Sequence, residues 1–372
     1  MRLGAVVGAL AGMALAQAAF AADAPKFEVD AAWPKPLPND WIMGQAAGVA
    51  VDADDNIWVV QRPKTLTDDE KAASLDPPRT KCCRPAPPVL VFNQAGDLIK
   101  SWGGPGEGYQ WPENEHGIHV DPKGFVWLAG NGEKDGQILK FTKDGKFVLQ
   151  IGKQGPQTNS QDTSRLGKPA NMQVDPATNE LFVADGYYNH RIIVFDGETG
   201  AYKRMWGAYG KPPTDDNLGA YDPAAAPAQQ FRNPVHCVRI AEDGLVYVCD
   251  RTNNRIQVFR KDGSFVKEFF VEKNTRANGS VWELAIWPDA AETYLLNVDG
   301  ANNEVRTLSR ETGAVIGAFG RNGRQAGQFH WVHNIAGDSK GNVFTTEVDT
   351  GKRAQKFLFR GEMVLRKRAA VQ

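Results

Sequence analysis

A strand-turn-strand unit recurs six times along this 372-residue chain, and that repetition restricts the fold more than any other feature. The units are GVAVDADDNIWVV from Gly48, GIHVDPKGFVWLA from Gly117, MQVDPATNELFVA from Met172, VRIAEDGLVYVC from Val238, LAIWPDAAETYLLNV from Leu284 and IAGDSKGNVFTTEV from Ile335. Each alternates apolar residues around a turn, the pattern of antiparallel strands with one face buried. Segments such as RIIVFDGETGAYKRMWG from Arg191 and RIQVFRKDGSFVKEFF from Arg255 continue into third and fourth strands. Four antiparallel strands per unit make a propeller blade. The expected fold is therefore all-β, a single six-bladed β-propeller of four-stranded antiparallel blades from about residue 27 to 367, nearly devoid of helix. Gly-rich connectors such as GGPGEG at Gly103 and GRNGRQAGQF at Gly320 lead from a fourth strand to the next innermost one. No helical pattern follows them, which argues against dinucleotide binding.

Composition bounds the partners. A hydrophobic content of 42% can bury a large core, and a formal charge of −1 leaves no basic surplus for nucleic acid or anionic membrane. Arg2, an apolar run to Ala16 and the small-residue site Ala19-Phe20-Ala21 read as a secretory signal over residues 1–21. The mature domain would cover 22–372. No later run reaches the roughly 20 apolar residues of a membrane span, so a periplasmic or secreted product without a membrane anchor is expected. Cys82, Cys83, Cys237 and Cys249 are compatible with an oxidising compartment. Cys237 and Cys249 flank a predicted hairpin and can bridge there; for Cys82 and Cys83 a vicinal bridge, separate partners or free thiols all stay open.

His116, His236 and His333 each stand five residues before an equivalent turn position, at Asp121, Ala241 and Asp338, in units 2, 4 and 6. Blades about 60° apart would place these three about 120° apart beside the central channel. Any one histidine alone reads better as a hydrogen-bonded structural residue. Three at matching positions in alternate blades read as a metal site with an open coordination position. Zinc suits three imidazoles in a secreted protein, with copper or nickel as alternatives. Units 1 and 3 have Ala47 and Ala170 at that position, and unit 5 aligns near Glu283 or Leu284. His119, His190 and His330 break the register and read as structural, His119 on the face opposite His116.

A second ring follows the second strand of the blades, with Arg62 after IWVVQ, Tyr187 in ADGYYNHR and Arg251 in CDRTNNR. Arginine there can grip a substrate carboxylate, and a tyrosine beside a metal and two guanidiniums can act as a base. Each taken alone is more often a surface residue.

With these residues on view the chain resembles the six-bladed NHL-repeat propellers, most visibly in LVYVCDRTNNRIQVF and ELFVADGYYNHRIIVF. Within them it is similar to the peptidylglycine α-hydroxyglycine amidating lyase domain over most of the mature chain. HGIHVD, VHCVRI and VHNIAG match that family's zinc histidines at His116, His236 and His333, Tyr187 its active-site tyrosine, and Arg62 and Arg251 its substrate-binding arginines. The resemblance implies breakdown of an α-hydroxyglycine carbinolamide to an amide and glyoxylate. The substrate would be a small molecule or peptide bearing a carboxylate, and a peptidylglycine would need a separate hydroxylating enzyme.

The resemblance also implies a structural calcium at the carbonyls of Val49 and Ile118 and an aspartate after the third histidine. That position holds Asn334, so calcium is expected to bind weakly or not at all. Neither family disulfide is kept, because Tyr188 and Val258 stand at two of its cysteine positions. An insert at about residues 63–88, directly after Arg62 and carrying Cys82-Cys83, is expected to overhang the channel mouth. Two further function classes are a metal-dependent hydrolase of the lactonase type and a binding propeller without catalysis.

Overall fold

The computed structural model describes residues 24–366; the expected signal at 1–21 lies outside them. Six four-stranded antiparallel sheets account for the six units. Their innermost strands are Gln45–Val51, Glu115–Val120, Asn171–Val174, Val235–Ile240, Glu283–Ile286 and Val332–Gly337, for blades 1 to 6. Each of these touches the innermost strand of the blades on either side, blade 6 meeting blade 1, so the ring is closed. Helix among the described residues is limited to four three-residue 3-10 turns.

Blade 6 draws only three strands from its own unit. Its outermost strand is Lys26–Asp30, which pairs antiparallel with Arg353–Arg360 from the other end of the chain.

Apolar side chains on the two faces of each sheet are buried between blades, giving six separate cores, one per interface. Blades 1 and 2, for example, share Trp58, Val60, Val126 and Leu128, while blades 6 and 1 share Val49, Val59, Phe92 and Phe344. The recurring turn aspartate closes the first hairpin. Asp121 accepts the Phe125 amide at 2.9 Å and the Trp127 indole N–H at 2.8 Å, and Asp52 does the same for Asn56 and Trp58.

A second recurring pair fixes the loops between second and third strands. The last residue of the second strand is a buried acid that meets an arginine at the head of the third. Asp185–Arg191 lies at 2.8 Å, Asp250–Arg255 at 2.7 Å and Glu347–Arg353 at 2.7 Å, and Asp299 pairs with Arg306. These pairs brace the loops that carry Tyr187 and Arg251.

The insert packs as a cover anchored at both sides. Leu66, Ala72, Ala73 and Ala86 are buried, and Arg84–Pro85 forms a short parallel pair with Trp41–Ile42. Lys352, on the equivalent loop of blade 6, donates to Glu70 at 2.6 Å and to the Thr65 carbonyl at 3.0 Å. Both cysteine pairs are bridged, Cys82–Cys83 within the insert and Cys237–Cys249 across two paired strands of blade 4.

Candidate metal centre

Each of the three histidines lies where its innermost strand slips register against the second strand. The slips fall between Glu115 and Ile118, Val235 and Cys237, and Val332 and Asn334, so His116, His236 and His333 have no direct cross-strand partner. A bulge residue is freed from the ladder and its side chain re-aimed. Here all three turn into the channel. Their ring centroids are 4.7, 5.0 and 5.0 Å apart, a nearly equilateral triangle.

Each ring is locked from behind by the following blade. Nδ1 of His116 donates to the Ala170 carbonyl at 2.7 Å, that of His333 to the Ala47 carbonyl at 2.6 Å, and that of His236 to the Trp282 carbonyl. A carbonyl can only accept, so in the neutral rings the proton is on Nδ1 and the Nε2 lone pair is free. One ligand atom from each histidine falls in a cluster no more than 4.8 Å across.

The carbonyl set also corrects the alignment of the fifth unit. Trp282 N–H bonds the Val298 carbonyl just as Ala170 N–H bonds that of Ala184, so Trp282, not Glu283 or Leu284, is equivalent to Ala47 and Ala170. Close approach of the backbones is part of this geometry. A Cβ on Gly117 would sit 2.5 Å from the Ala170 carbonyl oxygen, so any side chain there would push away the group that orients His116.

Tyr187 sits over the triangle. Its hydroxyl lies 2.9 Å from His116 Nε2 and 3.0 Å from His236 Nε2, and it accepts from Arg251 at 3.3 Å. One phenolic proton can serve only one of two imidazole lone pairs, so this donor set suits an added positive centre. Burial holds His116 and His236 well below the usual imidazole range and His333 at about 3, with neighbouring cationic groups adding to the effect. Neutral imidazole is the form that ligates a metal. Three converging Nε2 atoms, fixed from behind, fit a divalent transition metal.

Both arginines reach the same centre. Arg62 donates to the Glu115 carbonyl at 2.6 Å, to Gln45 at 2.8 Å and to Asn131 at 3.3 Å. Arg251 donates to the Asn278 carbonyl at 2.8 Å, and its guanidinium stacks 3.6 Å above the Trp282 ring. Both are buried, and neither pairs with a carboxylate among the described residues. Burial lowers both pKa values, with Tyr187 the first opposing influence. Trp282, Gln45, Asn131 and Asn278 were not evident from the sequence. Repeat register alone could have pointed to Trp282. On the same side, a cavity of about 700 Å³ is lined by Asn233, Tyr221, Arg276 and Thr252, the residue after Arg251.

One residue further along each innermost strand the chemistry changes. Glu283 is fully buried, takes the side-chain amides of Asn171 and of Asn334, the latter at 2.8 Å, and pairs with Arg239 at 3.0 Å. The three ligands expected for calcium do not fit that ion. Asn334 spends its oxygen on the Val49 N–H at 3.4 Å and turns its NH₂ group toward Glu283. Positive charge is already supplied there by Arg239, which shares a cavity of about 220 Å³ with Val49 and Ile118.

His119 is also on a different face from that expected. Its Nε2 accepts the Val174 N–H of blade 3 at 3.1 Å, so it faces the same neighbouring blade as His116. The bulge between Glu115 and Ile118 resets the alternation. His190 and His330 hold loops through Asp215 at 3.3 Å and Asp349 at 3.8 Å.

Comparison with known proteins agrees with this architecture. Residues 234–259 match the NHL repeat. Over 237 residues the chain is 29% identical to peptidyl-glycine alpha-amidating monooxygenase B of Xenopus laevis, covering 61% of this chain and 24% of that protein. It is 25% identical over 248 residues to NHL repeat-containing protein 3 of Mus musculus, covering 64% and 58%. It is 30% identical over 146 residues to a probable peptidyl-alpha-hydroxyglycine alpha-amidating lyase of Caenorhabditis elegans, covering 39% and 36%. The chain thus spans about a quarter of the length of the monooxygenase and under two thirds of the other two. It is a propeller related to NHL proteins and to amidating lyase domains.

Proposed function

We propose that this chain is a zinc-dependent lyase that cleaves α-hydroxyglycine compounds to an amide and glyoxylate, in the periplasm or outside the cell. The observation that carries the reading is the pair of buried guanidiniums, Arg62 and Arg251, set beside three converging imidazoles with no carboxylate in ion-pair contact among the described residues. Buried cations without a partner are costly, and such a cost is offset where an anionic substrate supplies the missing charge.

His116, His236 and His333 would hold the metal, which supplies Lewis acidity toward an oxygen-bearing substrate. Arg62 and Arg251 hold the carboxylate. Tyr187, fixed by Arg251 and two imidazoles, takes the proton of the substrate hydroxyl as the carbonyl of glyoxylate forms. The carbon–nitrogen bond breaks and the amide nitrogen takes up a proton, so atoms and charge balance without an oxidant. The cavity beside Thr252 has room for the rest of an acyl or peptidyl group. The expected leader and the two disulfides support an oxidising compartment. A peptidylglycine would have to be hydroxylated first by a separate enzyme.

The test is elemental analysis of purified protein with a glyoxylate assay on an α-hydroxyglycine compound. One zinc per chain is expected, with glyoxylate release reduced about 10²–10⁴-fold in kcat by Tyr187→Phe. A chain that holds zinc but releases no glyoxylate would favour hydrolysis or binding alone, and one that holds no stoichiometric metal would end the metal reading.

A further inference from the structure

We infer that the Arg239 guanidinium is a built-in cation of the channel, standing in for a bound divalent ion, and that its removal uncovers a calcium site. The observation is the set of atoms it touches. Arg239 donates to the Leu284 carbonyl at 2.8 Å, the Val238 carbonyl at 2.9 Å and the Asn171 side-chain oxygen at 3.4 Å, and lies 3.0 Å from the Glu283 carboxylate. Every partner is an oxygen.

An oxygen-only shell of carbonyls, an amide and a carboxylate is the donor chemistry of a hard cation such as calcium. Here blades 3, 4 and 5 all contribute to it. The other Glu283 oxygen takes the Asn171 and Asn334 amides, which adds blade 6, and the Leu284 N–H donates to the first at 3.0 Å. One side chain therefore joins four innermost strands through a single buried acid.

A guanidinium fits this role better than an ammonium because its planar fork can meet several oxygens at fixed angles. It is also covalently attached, so the link does not depend on solution calcium. This reading uses only the channel geometry and is independent of the lyase proposal.

The experiment is thermal unfolding of the full chain with and without millimolar calcium, alongside calcium analysis. Wild type should hold no stoichiometric calcium, and its Tm should not move. Arg239→Ala should unfold at a lower temperature and recover part of the loss when calcium is added. Arg239→Lys should lose less and ignore calcium, and Arg239→Ala with Glu283→Gln should lose the calcium response. Wild type that carries one calcium per chain overturns the inference. An Arg239→Ala chain whose folding or Tm is the same with and without calcium overturns it as well.

Discussion

Two neighbouring layers of one channel solve the problem of buried polar groups in opposite ways. In the histidine layer, backbone carbonyls behind the rings accept the Nδ1 protons and the three Nε2 lone pairs are turned toward one another. In the layer of Glu283 and Arg239, every charge has a partner inside the chain. Burial alone therefore does not mark a functional site. What marks it is burial without internal compensation.

The largest effect should come from breaking the first layer. His236→Ala should remove stoichiometric metal and reduce glyoxylate release to that of buffer, while leaving the fold intact, because no ion pair is broken; metal analysis and circular dichroism together check this.

The second layer should respond in the reverse sense. Glu283→Ala leaves Arg239 buried without its carboxylate and should cost about 3 kcal/mol of stability, the lower end expected for a broken buried pair, with metal content retained. Denaturant unfolding measures it.

The sharpest contrast should be in pH. In metal-free protein His119 and His333 have folded pKa values of about 3 against an ordinary 6.5. The unfolded chain therefore binds more protons between these values, and stability should fall as pH drops from about 6.5 toward 3. Glu283 works the other way. Burial raises it to about 7 from an ordinary 4.5, so its contribution should decline as pH rises from 4.5 to 7. Comparing Glu283→Gln with wild type across that range isolates the opposing arm, and identical pH curves would show that Glu283 does not titrate there.

How far the sequence could be read follows from these same details. The six units and the alternate-blade histidines were legible because the repeat fixes both spacing and angle. Trp282 was not, since it stands one residue before Glu283 and two before Leu284 in a unit whose composition does not mark the register. The bulge between Glu115 and Ile118, which alternation alone does not reveal, is why His119 faces otherwise than expected. Pairing of Arg239 with Glu283 joins two blades at unremarkable positions, and no local pattern announces it. The buried acid and arginine of ADGYYNHR and CDRTNNR are visible as letters, but their bracing of the site loops arises only from their pairing in space.

Closure of blade 6 by Lys26–Asp30 sets an order of events. Among the described strands that one precedes all others in the chain, and its partner, Arg353–Arg360, follows them all. His333 stands on the innermost strand of this late blade, so a chain interrupted before it can gather two histidines but not the third. If the three histidines hold a metal as proposed, its uptake would report completion of the circle, because a chain lacking blade 6 lacks one of the three rings.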